Sequence, residues 1–352
     1  LSMLMQKNNK VMDIDAKLKA VALSDNKLGL LQGKLGASIY FFVMSNHDEK
    51  SEMFQTGKEL FVQVATKIPT LKNIDLKNGL MGIWLGISYL VRNDYITDSS
   101  GNLLADIDAY IYKMVVKTID MDLQGKEIAP LIDVLAFETF RYKLLSDGVE
   151  KDLCRRFIVS LFNSIYMNRP LDFYSEAIPF RVNDRLIVFL LTLVEIRNLG
   201  IGTERIDHIF QEMQPFLLSL HPVLHPNRYI LFLVSSLVAQ ASGQSQWIRF
   251  SESLKREIDM CHLFTNDLYD KGIMLLDGVL GLVALTWWYN TKSQTTICLD
   301  MDEVRQRIEN SSFWNRMNID EEFIYNNYSL SGLCGIKLLT RTWEENNDGE
   351  ET

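Results

Sequence analysis

Positive charge is scarce in this chain: 36 Lys and Arg stand against 45 Asp and Glu, a formal balance of −9. A nucleic-acid or anionic-membrane surface needs clustered Lys and Arg, so neither is expected as the main partner. The longest apolar runs, Leu186 to Val194 and Tyr229 to Ala241, fall short of the roughly 18 to 20 residues that span a bilayer. Cysteine occurs only at Cys154, Cys261, Cys298 and Cys334, with no C-x-x-C pair and no disulfide-framework spacing, which fits a reducing compartment. The opening LSMLMQKNNK lacks the apolar core of an export signal, and the cytoplasm is the expected location. No P-loop, dinucleotide fingerprint, nucleophile elbow or H-E-x-x-H is present, and those enzyme classes lose their support.

What the chain does have is helical spacing. Only 7 prolines interrupt it, and apolar residues recur at intervals of three and four. Ala105 to Ile119 is an example, with Ile107, Ile111 and Val115 on one face and Asp106, Asp108 and Lys113 off it. Strand signals are weak throughout.

A repeat underlies this pattern. Four segments carry G-x-x-G followed at once by a long apolar run: Gly33 and Gly36 before ASIYFFVM, Gly79 and Gly82 before IWLGISYLV, Gly278 and Gly281 before LVALTWW, Gly332 and Gly335 before IKLLTRTW. Three further apolar segments, Ile128 to Leu145, Arg181 to Arg197 and Asn227 to Ala241, read as decayed copies. Together they give about seven units at a period of roughly 45 to 55 residues, the length of a helical hairpin. In the first unit Leu28 to Met44 is expected to form one helix and Met53 to Ile68 the other. Glycine inside a helix costs about 1 kcal/mol relative to alanine, so its recurrence requires a reason. Crowding of inner helices round the axis of an all-α, α/α toroid supplies one. Capping of the preceding turns in an ordinary bundle supplies another. The toroid is expected as one domain over residues 1–343, followed by an acidic, solvated tail over 344–352.

Several side chains are candidates for chemistry. Cys261-His262 joins two zinc-binding residue types, against a reading as buried thiol and surface imidazole. His221 and His225 are four apart, but Pro222 and Pro226 favour a loop entering a helix. The pairs Asp106 with Asp108 and Asp300 with Asp302 do not face each other on helices, and Asp300 reads as a helix cap. Tyr40, Trp84, Tyr89, Trp287 and Trp288 lie on the proposed inner helices, where they line either a cavity or the core.

The stretches LLQGKLGASIYFF, KNGLMGIWLGISYLVRNDYITDSSGNLLADIDAYIY, LLDGVLGLVAL and SLSGLCGIKLL resemble the lanthionine synthetase C-like family at both ends of the chain. The middle, from about Glu127 to Gln246, matches only in period and apolarity. The resemblance implies an α/α toroid whose cavity holds zinc on two Cys and one His. It also implies addition of a peptide Cys thiol to a dehydrated Ser or Thr, zinc lowering the thiol's pKa. This chain departs from that pattern. Leu276 and Asp277 stand where the family has its Cys-His pair, and Leu224, His225 and Pro226 where it has the other Cys. Arg181 stands where it has a further His. The expectation is therefore a zinc-free protein serving ribosomally made, modified peptides, which binds a peptide or a partner enzyme rather than closing rings. Tyr40, Trp84, Arg181, His225, Asp277 and Trp287 are its cavity candidates. Zinc, were it bound, would fall to Cys261, His262 and His225. A carbohydrate-active toroid with two carboxylates, and a non-catalytic scaffold, are the alternatives.

Overall fold

A helix that starts inside a protein leaves its first backbone N–H groups without intrahelical partners, and how this chain supplies them organises its fold. The computed structural model describes residues 14–97, 103–119, 128–168, 180–268, 272–316 and 320–348, among which there are helices and no strands. Contacts divide the chain into two compact units, 1–113 with 272–275 and 300–352, and 114–271 with 276–299.

In the first unit a helix over residues 14–24 (α1) precedes α2 (Lys34–Met44), α3 (Glu52–Lys67) and α4 (Leu80–Arg92). α5 (Leu103–Ile119) follows, and α14 (Met301–Glu309), α15 (Ser312–Arg316), α16 (Glu321–Asn327) and α17 (Leu333–Asp348) complete the unit. α17 packs on α2, and α2 on both α3 and α4. α2 is buried from Lys34 to Phe42 without a break, as befits a helix apolar all round. α3 is amphipathic and buries Phe54, Leu60 and Val64 on one stripe.

The G-x-x-G pairs sit at the starts of these helices. Before α2 the chain folds back so that the N–H groups of Lys34 and Leu35 donate to the carbonyls of Lys27 and Leu28, at 2.9 and 3.3 Å. Before α4, Leu80 and Met81 donate to Asn73 and Ile74 at 2.9 and 3.4 Å, the same seven-residue spacing. A loop lying against the first turn leaves no room for side chains. A Cβ on Gly36 would stand 2.1 Å from the Leu30 carbonyl oxygen, and one on Gly82 2.2 Å from that of Leu76. This corrects two expectations. Residues 28–33 form the loop rather than the start of a helix, and the glycines make room for loops: their own preceding one and, at Gly36, also the loop of Ser329, whose Oγ a Cβ would meet at 2.4 Å.

The loops also bond to one another. Leu275 N–H donates to Ser331 C=O at 3.0 Å, Ser331 N–H to Leu31 C=O at 2.9 Å, and Leu31 N–H to Lys77 C=O at 2.9 Å. The Ser329 hydroxyl accepts from Gly33 N–H at 3.0 Å and donates to its carbonyl at 2.8 Å. Below them the buried Asp25 carboxylate accepts from Tyr328 Oη at 2.8 Å and Tyr325 Oη at 3.2 Å.

The second unit contains α6 (Ala129–Leu144), α7 (Val149–Asn168), α8 (Arg185–Asn198), α9 (Thr203–Leu217), α10 (His225–Ser242) and α11 (Ser245–Arg256). A short turn, α12 (Met260–His262), runs into a π-helical turn over Leu263–Asp267, and α13 (Val279–Lys292) ends the unit. α8 packs on α6 and α10, and α10 on α13, while α7, α9 and α11 pair with the helices before them. The expected decayed copies at 128–145, 181–197 and 227–241 are thus α6, α8 and α10. Lacking glycine pairs, they start differently: the Asp184 side chain caps α8 by accepting from Leu186 and Ile187 N–H, and Pro130 opens α6 where its missing N–H costs nothing. Where the charged ends of α6, α8 and α13 meet, burial raises the Glu195 pKa, but bonds from Lys143 and Lys292 more than offset this and leave it below the usual range.

Gly82→Ala and Gly36→Ala each place a methyl group into backbone. Each substitution is expected to lower stability by about 2–3 kcal/mol, opposite in sign to the ~0.5–1 kcal/mol gain of Gly→Ala at an unobstructed helical site. Urea denaturation checks this.

Candidate functional site

Two places in the structure gather the chemistry flagged by the sequence, one in each unit. In the second unit one ligand-type atom from each of His225, His262 and Asp267 lies within 4.8 Å of the others. Cys261, the predicted neighbour in a metal set, is exposed and outside this group. Asp267 was not foreseen. It meets His262 because the π turn puts residues five apart on one side, with Leu268 N–H donating to Leu263 C=O at 3.0 Å.

The hydrogen bonds of this cluster fix its protons. Asp267 Oδ2 accepts from His225 N–H at 2.7 Å and so caps α10, whose own N-cap, Leu224, has no capping side chain. The His225 Nδ1 faces two groups that can only donate: the Asp259 backbone N–H at 3.1 Å and the Arg228 guanidinium at 3.4 Å. In the neutral ring Nδ1 is then the acceptor and the proton sits on Nε2. A ring in that state offers a metal no lone pair, because one nitrogen is spoken for and the other protonated. Arg228 is itself anchored, donating to Glu257 C=O at 2.6 Å and Pro222 C=O at 3.0 Å. The cluster ties the start of α10, the end of α11 and the π turn together. His262 Nδ1 lies 3.6 Å from Asp267 Oδ1, at the exposed edge.

The other positions singled out in this unit lie outside the cluster. Asp277 and Arg181 are exposed, and their loops are joined by Val182 N–H donating to Leu276 C=O at 3.0 Å. Trp287 on α13 is 42% exposed. His221 is exposed in the loop before α10. Positions 276 and 277 are Leu and Asp, and the His225 Nδ1 accepts hydrogen bonds from the protein.

In the first unit a cavity of about 650 Å³ opens between α2, α4 and α17. Tyr89, 41% exposed, is the predicted aromatic that lines it. Tyr40 and Trp84 do not: both are core, Tyr40 fully buried with its hydroxyl donating to Asp15 at 2.7 Å, and Trp84 4% exposed. Helices buried all round give no polar stripe from which core and lumen could be told apart. A second cavity of about 340 Å³ includes Asp106 with Ile107 and Tyr110. Asp300 caps α14, accepting from Glu303 N–H at 3.0 Å.

No protein-family model matches this sequence, and no curated protein matches it. Among solved structures, a chain described as nisin cyclase is similar in fold, with a TM-score of 0.63 and 15% identity over 96% of this chain and 94% of that one. At that identity the likeness shows the fold alone, and it is the α/α-toroid class expected from the glycine repeat. Among the described residues no helix is long and apolar enough to cross a membrane.

Long-range ¹H–¹⁵N spectra recorded about two units above the ordinary imidazole pKa of ~6.5 are expected to show His225 protonated on Nε2, with Nδ1 bare. A proton on Nδ1 would mean that the ring is free to ligate a metal through Nε2.

Proposed function

We propose that this chain is a lanthionine synthetase C-like protein that serves the modification of ribosomally made peptides by binding the peptide or the modifying enzyme, without zinc-dependent ring closure. The observation that carries the reading is a fold shared over nearly its whole length with a protein named nisin cyclase, combined with Leu276 and Asp277 directly ahead of Gly278 at the start of α13. The name of that protein says that it cyclises nisin, and the present proposal takes over the peptide and leaves out the cyclisation.

The physical argument is about thiol activation. Ring closure needs a peptide thiolate near neutral pH, when a free thiol has a pKa of about 8.5, and zinc lowers it. The chain's two buried thiols do not take over that role. Burial pushes Cys334 well above its ordinary value, and burial with the adjacent Glu138 carboxylate pushes Cys154 up to about 12. What supports binding is the open, largely apolar cavity beside Tyr89. The cytoplasm, with its reducing conditions, is the setting proposed for this function.

Elemental analysis of the purified protein is expected to find no stoichiometric zinc, and mixing with a dehydrated nisin precursor is expected to leave the peptide's thiols unconsumed. One zinc per chain, lost together with thiol consumption in His225→Ala, would overturn the proposal.

A further inference from the structure

The first-unit cavity joins an aliphatic body to a group of unpartnered hydrogen-bonding side chains. Ile39 of α2, Leu85 of α4, Leu338 of α17 and the loop residue Leu330 are among its apolar lining. At one end stand three side chains of another kind: His47 beyond α2, Tyr89 in the last turn of α4 and Tyr95 just beyond it. Among the described residues neither phenol hydroxyl has a hydrogen-bond partner in the protein, and nor has either ring nitrogen of His47. Water against aliphatic walls makes few hydrogen bonds, so an apolar body displaces it favourably.

His47 and Tyr95 are set in place by strained turns. Among the described residues, the non-glycine positions with positive φ are Asn46 (51°), His47 (60°) and Asp94 (56°), the first two in the turn of His47 and the third immediately before Tyr95. Left-handed backbone is unfavourable for a non-glycine residue and persists where surrounding structure enforces it, often at binding sites. Here the His47 imidazole lies flat on Tyr95, at 4.2 Å between centroids and 5° between planes, and Tyr95 in turn lies 5.5 Å from Phe42 of the core. Tyr89, by contrast, leaves 41% of its surface open to a ligand. Burial raises the pKa of Tyr89, and burial with the neighbouring Tyr89 raises that of Tyr95, so both phenols keep their O–H near neutral pH. A carbonyl oxygen has two lone pairs and can accept from two such donors.

We propose that this cavity binds an uncharged apolar molecule carrying a carbonyl group, its aliphatic part against Ile39, Leu85 and Leu338 and its carbonyl oxygen at the hydroxyls of Tyr89 and Tyr95. The volume falls within the ~300–1,000 Å³ of small-ligand sites, which combine apolar walls with a few placed polar groups. The same chemistry has two sources, an aliphatic side chain of a peptide with its adjoining amide and a free apolar carbonyl compound. Only the first rests on the peptide-binding function proposed above.

Calorimetry on the intact protein tests this with two pairs of uncharged probes: the N-acetylated, C-amidated tripeptides Ala-Leu-Leu and Ala-Ser-Ser, and the ketones 2-octanone and 2-butanone. At least one apolar member is expected to bind about tenfold or more tightly than its counterpart, since each buried methylene adds about fourfold. Removing both hydroxyls together, Tyr89→Phe with Tyr95→Phe, leaves the walls in place and is expected to weaken that probe about threefold or more. Leu85→Trp fills the cavity and is expected to abolish binding, with urea denaturation confirming that the variant is folded. Binding of the leucine peptide in preference to the serine peptide identifies a peptide segment as the occupant. Preference for 2-octanone with no binding of either peptide sustains the site and removes the peptide from it. No binding by any probe, apolar probes no tighter than their counterparts, or affinity unchanged in the double phenylalanine variant or in folded Leu85→Trp would each overturn the proposal.

Discussion

The constraint on which this structure depends is the supply of hydrogen-bond acceptors to helix N-termini. Each helix begins with N–H groups that the helix itself cannot satisfy, and leaving them bare inside a protein costs about 1–3 kcal/mol apiece. At α2 and α4 the chain answers with its own backbone, folding a loop against the first turn so that carbonyls seven residues earlier accept the bonds. That answer excludes side chains at Gly36 and Gly82. It also leaves other loop groups to pair outward, and they pair with the next loop, from Leu275 through Ser331 and Leu31 to Lys77. Each such bond contributes only ~1 kcal/mol net. Their consequence is positional: Leu30 and Leu330, which wall the cavity, are chain neighbours of Leu31 and Ser331.

In the second unit two helices meet the same requirement with side chains. Asp184 caps α8 from within its own loop, and Asp267 caps α10 from a distant turn. The second solution has a chemical consequence. Beside the Asp267 cap, the Asp259 N–H and the Arg228 guanidinium both face the His225 Nδ1 as donors, which places the neutral ring's proton on Nε2. A residue that spacing offered as a metal ligand is thereby a structural joint. Leu276 and Asp277 carry no thiol or imidazole, and the hydrogen bonds of His225 occupy the ring nitrogen that spacing had offered to a metal.

Much of the fold was legible because its signals are local. Glycine pairs ahead of apolar runs marked helix starts, and apolar spacing located α6, α8 and α10 even where the glycines are gone. The reason for the glycines was not legible, since clash with a preceding loop and clash with a neighbouring helix leave the same trace in a sequence. Tyr40, Trp84 and Tyr89 lie on similarly apolar helices, yet only Tyr89 reaches a cavity. The meeting of His262 with Asp267 depends on a π turn, which has no composition of its own. The turn at Asn46 and His47 escaped notice for a different reason: left-handed backbone at non-glycine residues is visible only in backbone angles.

If the loop-to-loop bonds organise the first unit, their amides belong to its stable core although they lie in loops. Native-state hydrogen exchange of the Leu31, Ser331 and Leu275 amides measures this directly. The account predicts protection equal to that of the amides inside α2 and α4. Exchange at the rate of exposed turns, with α2 and α4 still protected, would contradict it.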